Sequence, residues 1–213
     1  MIQFSNVTAE HLEIPLDLTI PEGVVASLVT SRDVEGETIV RLMLGFREPL
    51  TGRVSVNGME PATLIDSQLS DFRRGIGVVY HDGGFISNLN MWENLILQLA
   101  FEGGLKRGDL EELASVALEK VGFTGGLHNL PSRLSIFQRK QVAIARLMLS
   151  SPSLVLCQSL FEGLSRGEQK SIAAVLLDYC ASGKTALLLT SNPDSLKGVV
   201  TASTFYTGGT LQT

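Results

Sequence analysis

Residues 31–38, SRDVEGET, lie between an apolar run and a helical pattern, at a place where a loop could bind phosphate. Such a loop follows the pattern G-x-x-x-x-G-K-[ST]. Its glycines let backbone N–H groups approach the phosphates, its lysine neutralises their charge, and its hydroxyl binds Mg²⁺. Gly36 and Thr38 fit this pattern. Ser31 stands at the first glycine position and Glu37 at the lysine position, so the charge that would meet a phosphate is reversed.

The whole loop is acidic. Arg32 is its one basic residue, and Asp33, Glu35 and Glu37 are its three acidic residues, which gives a formal charge of −2. Two like charges about 4 Å apart repel each other by roughly 4 kcal/mol at an effective dielectric constant of 20. We therefore predict that Glu35 or Glu37 accepts the free N–H groups at the start of the following helix, in place of a phosphate.

A second loop fragment and two cysteines have simpler interpretations. Gly183-Lys184-Thr185 spells the end of a phosphate-binding loop, but it precedes an apolar run instead of following one, so we predict a turn.

Cys157 and Cys180 lie in apolar surroundings, with neither CxxC spacing nor companion histidines. This pattern predicts buried, reduced thiols and no metal site.

Short apolar runs separated by helical patterns predict an α/β fold. Continuous apolarity is typical of strands that are covered on both faces of a parallel sheet. The runs are 24–30, 76–80, 153–157 and 185–190. Residues 84–134 predict a helical insertion, in which Asp109 and Glu112 form a capping box at the start of a second helix.

Composition limits the range of functions. The chain has 213 residues, of which 44% are hydrophobic, enough for one sizeable core. Its net charge of −5 and isoelectric point near 5.2 predict no nucleic-acid partner. A secretory leader pattern is missing, and no stretch approaches the ~20 apolar residues of a membrane span. We therefore predict a cytoplasmic protein without direct membrane insertion.

Four segments now show a family resemblance. The strongest is LPSRLSIFQRKQVAIARLMLSSPSLVLCQSLFEGLS at 130–165, supported by REPLTGRVSVNG at 47–58, GVVYHDGGFISNLNMWENL at 77–95 and the final STFYTGGTLQT. From its first strand to its last, the chain resembles the ATP-binding subunit of an ABC transporter. The segment NMWENLILQL is most similar to subunits of lipid or lipoprotein export complexes.

The resemblance implies an α/β fold of the P-loop NTPase-like ABC ATPase type. This fold has a mostly parallel sheet, an N-terminal antiparallel β portion and a helical insertion. Residues 1–213 would form one domain. Residues 1–83 and 135–213 would make the RecA-like core with its β subdomain, and 84–134 would make the helical subdomain.

By the same resemblance, residues that are unsuited to ATP hydrolysis stand at the positions that are catalytic in the family. Cys157 stands at the Walker B aspartate and Gln158 at the catalytic glutamate. A thiol is a poor Mg²⁺ ligand, and a neutral amide is no general base. The other positions are His81 (Q-loop glutamine), Ser191 (switch histidine), Ser135, Ile136, Phe137 and Gln138 (signature motif), and His11 (adenine stacking). Ser135 and Gln138 also predict a capping box.

We predict a non-catalytic subunit, a pseudo-ATPase, because all these positions are substituted while the framework persists. This prediction includes no catalytic residue, no metal and neither ATP nor Mg²⁺ as cofactor. The resemblance implies docking on an integral membrane permease at the inner face of the membrane, and pairing as a homodimer or with a paralogous ABC ATPase. Candidate permease contacts are Phe85, Ile86, Leu89, Met91 and Trp92, for which internal packing is the competing interpretation.

Two other functions stay open at this point. The chain could be an ATP-hydrolysing subunit with a rewired site that uses His81, Asp82 or Glu162 around a displaced Mg²⁺. Alternatively, it could be a soluble scaffold or regulatory module that never meets a permease.

Overall fold

The computed structural model describes residues 1–198 and 203–206, with eight strands and six α-helices in these ranges. The strands are β1 (Ile2–Thr8), β2 (Leu16–Ile20), β3 (Val25–Val29), β4 (Thr51–Val56), β5 (Ile76–Val79), β6 (Leu154–Gln158), β7 (Thr185–Thr190) and β8 (Ser203–Tyr206). The helices are α1 (Asp33–Met43), α2 (Asp66–Arg74), α3 (Met91–Glu102), α4 (Arg107–Lys120), α5 (Ile136–Ser150) and α6 (Arg166–Cys180). The final segment STFYTGGTLQT resembles the closing hairpin of the family, and apart from β8 it lies outside the described residues.

The strands form two sheets, which confirms the predicted fold class. A parallel sheet has the order β5-β6-β7-β3-β8. A smaller antiparallel sheet has the order β2-β1-β4 and contains the N-terminal strand. The four apolar runs coincide with β3, β5, β6 and β7, as predicted.

Both faces of the parallel sheet are covered. Leu154 and Leu156 of β6 belong to an apolar cluster that also contains Ile39 of α1 and Phe4 of β1. The alternate β6 residues belong to a second cluster, formed with α5 and α6. This burial on two faces explains why the strands carry continuous apolar runs.

The helical segment differs in detail from the prediction. Helix α4 begins at Arg107, and the Asp109 carboxylate accepts a hydrogen bond from the backbone N–H of Lys106. The predicted capping box between Asp109 and Glu112 is therefore wrong, because the helix starts a few residues earlier. No helix in the described ranges has the length and apolarity required to cross a membrane.

A buried asparagine fixes the loop that leads into α3. Asn94 is fully buried. Its Oδ1 accepts from the N–H of Ile86 at 2.7 Å, and its Nδ2 donates to the carbonyls of Ile86, Leu89 and Asn90 at 3.0 Å each. One side chain thus contacts four polar backbone groups of the loop and of the start of α3.

A buried lysine lies between α5 and the sheet. Lys140 is fully buried, and its Nζ donates to the carbonyls of Ser159 at 3.2 Å and Tyr80 at 3.4 Å. Within the described part of the chain, no carboxylate forms an ion pair with it. Burial lowers the pKa of Lys140 to about 8, because the low-dielectric interior disfavours the charged amine.

Replacing the buried asparagine should destabilise the fold. We expect Asn94→Ala to lower the free energy of unfolding by about 3 kcal/mol, since a buried polar group left without a partner costs roughly 1–3 kcal/mol. Denaturant unfolding measures this loss. Exposed Asn88 in the same loop is the matched control, and Asn88→Ala should change stability by less than about 0.5 kcal/mol. Equal losses in the two variants would contradict the role given to Asn94.

The buried lysine predicts a pH dependence of stability. Its pKa is 10.5 in the unfolded chain and about 8 in the folded chain, so the unfolded chain binds more protons in this window. Stability contributed by this site should therefore rise with pH from about 8 to 10.5, by up to about 3 kcal/mol. Unfolding of wild type and Lys140→Met at several pH values isolates this site. A difference between them that does not change with pH would contradict the lowered pKa.

Candidate functional site

The carboxyl ends of four parallel strands bring the candidate residues to one edge of the sheet. Ser31 follows β3, His81 follows β5, Ser159 follows β6 and Ser191 follows β7. In open parallel sheets this edge is where ligands bind. Ser31, His81 and Ser191, which the sequence analysis selected from distant segments, therefore lie at a common edge with Gln158, the last residue of β6. Ser159 was not among the predicted positions.

A carboxylate of the chain occupies the start of α1. Glu35 is 1% exposed, and its Oε2 accepts from the backbone N–H of Ser31 at 2.8 Å. Its Oε1 accepts from the N–H of Glu13 at 3.3 Å. Of the two acids considered in the sequence, Glu35 is thus the buried one, and the helix dipole favours its negative charge in the first turn. These two partners precede the helix, whereas the prediction named the N–H groups of the helix start.

Helix α1 also extends into the loop. It begins at Asp33, five residues before Thr38, where the helical sequence pattern starts. From Gly36 onward the backbone N–H groups donate within the helix, because only the first four N–H groups of a helix lack an internal partner. The N–H groups of Glu37 and Thr38 are therefore not turned outward into an open loop.

The remaining loop side chains have partners inside the chain. The Thr38 hydroxyl donates to the carbonyl of Val34 at 2.9 Å. The Glu37 carboxylate pairs with Arg41 one turn along the helix, at 3.0 and 2.8 Å. Arg32 lies 3.3 Å from the carboxylate of Glu13 on the surface. None of these contacts directs a positively charged side chain at the centre of the loop.

The end of β6 carries neither a carboxylate nor a free thiolate. Cys157 is fully buried, and burial raises the pKa of its thiol to about 12, so it is protonated at neutral pH. Gln158 is half-buried beside it. Cys157 and Cys180 are both free and buried, as the sequence predicted.

The signature positions form the start of α5. The Ser135 hydroxyl accepts from the N–H of Gln138 at 3.1 Å, and Gln138 Oε1 accepts from the N–H of Ser135 at 3.1 Å, which is the predicted capping box. Ile136 is 41% exposed and contacts the turn at Gly163, while Phe137 packs against the core. Apolar side chains thus stand where the family has glycines.

The residues suggested for a rewired site lie on the surface. His81, Asp82 and Glu162 are all exposed, and the Asp82 carboxylate accepts from the N–H of Gly84 at 2.8 Å. Across residues 1–198 and 203–206, no three His, Cys, Asp or Glu side chains form a group that could hold a metal ion. His11, at the adenine position, lies beside its neighbour Glu10, 3.9 Å from that carboxylate.

The proposed permease contacts divide between surface and core. Ile86 is 46% exposed, while Phe85, Leu89 and Trp92 are half-buried. Met91, the first residue of α3, is fully buried in the core, which favours the internal-packing interpretation for this residue. Internal packing also explains why Trp92 is half-buried, because its side chain lies against the core cluster.

A cavity that the sequence analysis missed lies between β5, α3 and α5. It has a volume of about 510 Å³. Leu97, 41% exposed, and Phe101, 93% exposed, form part of its wall. On the other side, Arg146 donates to the carbonyls of Gly83 at 2.7 Å and Gly84 at 3.0 Å, and its guanidinium lies 4.9 Å from the ring centre of Phe85. The only sequence signal for this cavity was an unusually apolar α3.

The solved structures of known proteins include close matches to this fold. The ATP-binding cassette MJ0796, in a dimeric post-hydrolysis state bound to ADP and phosphate, superposes with a TM-score of 0.84 at 23% identity, covering 97% of this chain and 94% of that one. The CbiO1 protein of Clostridium perfringens, part of the ABC transporter complex CbiONQ, gives a TM-score of 0.78 at 18% identity over 96% of this chain and 83% of that one. At these identities the likeness shows the fold.

Curated relatives match most of the chain. The methionine import ATP-binding protein MetN of Photorhabdus laumondii is 29% identical over 197 residues, which is 92% of this chain and 57% of the relative. MetN 3 of Pectobacterium atrosepticum is 29% identical over 208 residues, 93% of this chain and 60% of the relative. The chain therefore spans less than two thirds of the length of these relatives.

A family model decides the assignment. The model described as ABC transporter matches residues 16–159, which is more than half of the chain and includes the loop before α1, the signature positions and β6. With the parallel sheet, the antiparallel N-terminal sheet and the superposed cassettes, this match means that the chain belongs to the ABC transporter family, as an ATP-binding domain of that family.

Proposed function

We propose that this chain is a non-hydrolysing homologue of the ABC transporter ATP-binding subunit, which serves a membrane permease as a structural or regulatory subunit. One observation carries the proposal: the Glu35 carboxylate, 1% exposed and hydrogen-bonded to the N–H of Ser31 at 2.8 Å, puts a buried negative charge in the first turn of α1, where a phosphate would have to bind. The chain would keep the shape of the family without its nucleotide chemistry.

Electrostatics support the absence of nucleotide. A triphosphate at Gly36 would have to approach the buried carboxylate of Glu35 and would meet Glu37 where a lysine should neutralise it. Two negative charges about 4 Å apart repel by roughly 4 kcal/mol at an effective dielectric constant of 20. Moving Glu35 out of the way would also leave the N–H of Ser31 without its acceptor.

The residues present do not fit Mg²⁺ either. The hydroxyl of Thr38 donates to the carbonyl of Val34, and the thiol of Cys157 is buried and protonated. Mg²⁺ prefers hard oxygen ligands and near-octahedral geometry, which a thiol does not supply. The amide of Gln158 has no basic group with which to activate water. We therefore derive no step of ATP hydrolysis for this chain.

The second half of the proposal is docking. The segment that carries Phe85, Ile86, Leu89 and Trp92 lies between Gly84 and Asn94, which line the cavity of about 510 Å³ together with the exposed Phe101. An exposed apolar surface beside a cavity favours a partner over solvent. We assign an integral membrane permease as this partner, because the family consists of transporter subunits. Such a complex would hold the chain at the inner face of the membrane.

The relatives narrow the kind of transport. Both curated relatives are named for methionine import, so they favour import of a small molecule and give the lipid-export expectation no support. Pairing with a second copy or with a paralogous ABC ATPase is part of the same proposal, since a matching cassette is described as dimeric. No nucleic-acid partner is proposed, in keeping with the acidic charge.

Nucleotide binding tests the first half of the proposal. We expect no saturable binding of fluorescent ATP up to millimolar Mg·ATP, and no phosphate release above background. Glu37→Lys restores the family's lysine but leaves the Glu35 carboxylate in place, so it should also fail to bind. Micromolar affinity with Mg²⁺-dependent turnover in the wild-type protein would overturn the proposal and favour the rewired ATPase.

Co-purification from detergent-solubilised membranes tests the docking half. The tagged wild-type chain should retain a multi-span membrane protein, identified by mass spectrometry. Ile86→Asp should reduce its recovery by about tenfold or more, because a charge would be buried at the contact. Leu50, 74% exposed and next to β4, provides the control, and Leu50→Asp should change nothing. Recovery of no membrane protein by the wild type would favour the soluble scaffold.

A further inference from the structure

Hydrogen bonds between groups of this chain join the loops at the carboxyl edge of the sheet. Asp33 Oδ1 accepts from the Ser191 hydroxyl at 2.7 Å and from the Ser159 hydroxyl at 3.5 Å. The Ser159 carbonyl accepts from Lys140 Nζ, which also donates to the carbonyl of Tyr80. We call these five residues the edge network. It connects the segments that follow β3, β5, β6 and β7.

Ser159 is the centre of the edge network. It is 6% exposed and has a φ of +46°, an uncommon conformation for a residue other than glycine. All three of its polar groups have partners, because its N–H also donates to the carbonyl of Leu189 at 2.8 Å. A strained backbone persists where its surroundings determine it fully, and these three bonds, to α1, α5 and β7, supply that constraint.

The other end of the edge network leads to the proposed docking segment. The Tyr80 carbonyl accepts from Lys140 and also from the N–H of Gly83 at 3.0 Å. Arg146 then holds the carbonyls of Gly83 and Gly84, and the next residues are Phe85 and Ile86. The loop between β5 and the docking segment is thus anchored at successive residues to α5.

We propose that the edge network is a nucleotide-independent latch, which holds the loop before the docking segment in one position by coupling it to the start of α1. This inference rests on the proposed function, because a triphosphate at Gly36 would displace the start of α1, where Asp33 lies. In effect, contacts within the chain would fix the docking surface, and no cycle of nucleotide exchange would move it.

Amide hydrogen exchange of the full chain tests the latch. Asp33 bonds to Ser159 and Ser191, so a local effect of Asp33→Ala would stay in the segments near 31–36, 159 and 191. The latch predicts that exchange also rises about fivefold in residues 80–86, three hydrogen bonds away from Asp33, the factor expected for the loss of one hydrogen bond. Asp17→Ala, an exposed aspartate of β2, is the matched control and should change nothing in 80–86.

A second variant enters the same network from its other end. Lys140→Met removes both bonds of the amine and should raise exchange in 80–86 and around 159 together. Should this variant fail to fold, as circular dichroism would show, Asp33→Ala decides alone. Exchange in 80–86 that stays at the wild-type rate in Asp33→Ala overturns the latch.

Adding Mg·ATP to the wild-type protein separates the latch from the proposed function. A changed exchange pattern at 31–38 on addition of Mg·ATP would overturn the proposed function. An unchanged pattern, together with an effect of Asp33→Ala confined to its neighbours, would overturn the latch and leave the proposed function intact.

Discussion

The candidate site of this protein depends on one interaction. The backbone N–H of Ser31 donates a hydrogen bond to the carboxylate of Glu35, in the first turn of α1. A helix N-terminus has free donors and a positive dipole end, which favour a negative charge nearby. In a phosphate-binding loop the ligand supplies that charge. Here the Glu35 carboxylate lies in the first turn of α1 and accepts from the N–H groups of Ser31 and Glu13, which precede the helix.

The stability of the fold comes from other parts of the structure. The parallel sheet is buried on both faces by two apolar clusters, and neither cluster requires a charged loop residue. The polar groups that the family uses for chemistry lie at the carboxyl edge, outside these clusters. Cys157 is itself part of one of these clusters. The fold therefore does not depend on a particular chemistry at its carboxyl edge.

Much of the architecture could be predicted from local sequence. The apolar runs gave β3, β5, β6 and β7, because strands buried on two faces have no polar alternation to obscure them. The pair Ser135 and Gln138 predicted a helix start, since both hydrogen bonds span three residues. The same local rule failed at Asp109, because Lys106 offers a position for the cap three residues earlier.

Long-range contacts could not be predicted in the same way. Lys140 appears in the sequence as an ordinary charged helix residue, and its burial depends on carbonyls of Tyr80 and Ser159 that only the tertiary fold brings near. Met91 and Trp92 are adjacent and both apolar, so sequence alone did not show that one is core and the other half-buried. A crystal structure after soaking with Mg·ATP tests the central claim most directly. Our account predicts the Glu35 carboxylate still bonded to the N–H of Ser31 and no triphosphate in the loop; an ordered triphosphate beside Gly36, with Glu35 displaced, would contradict it.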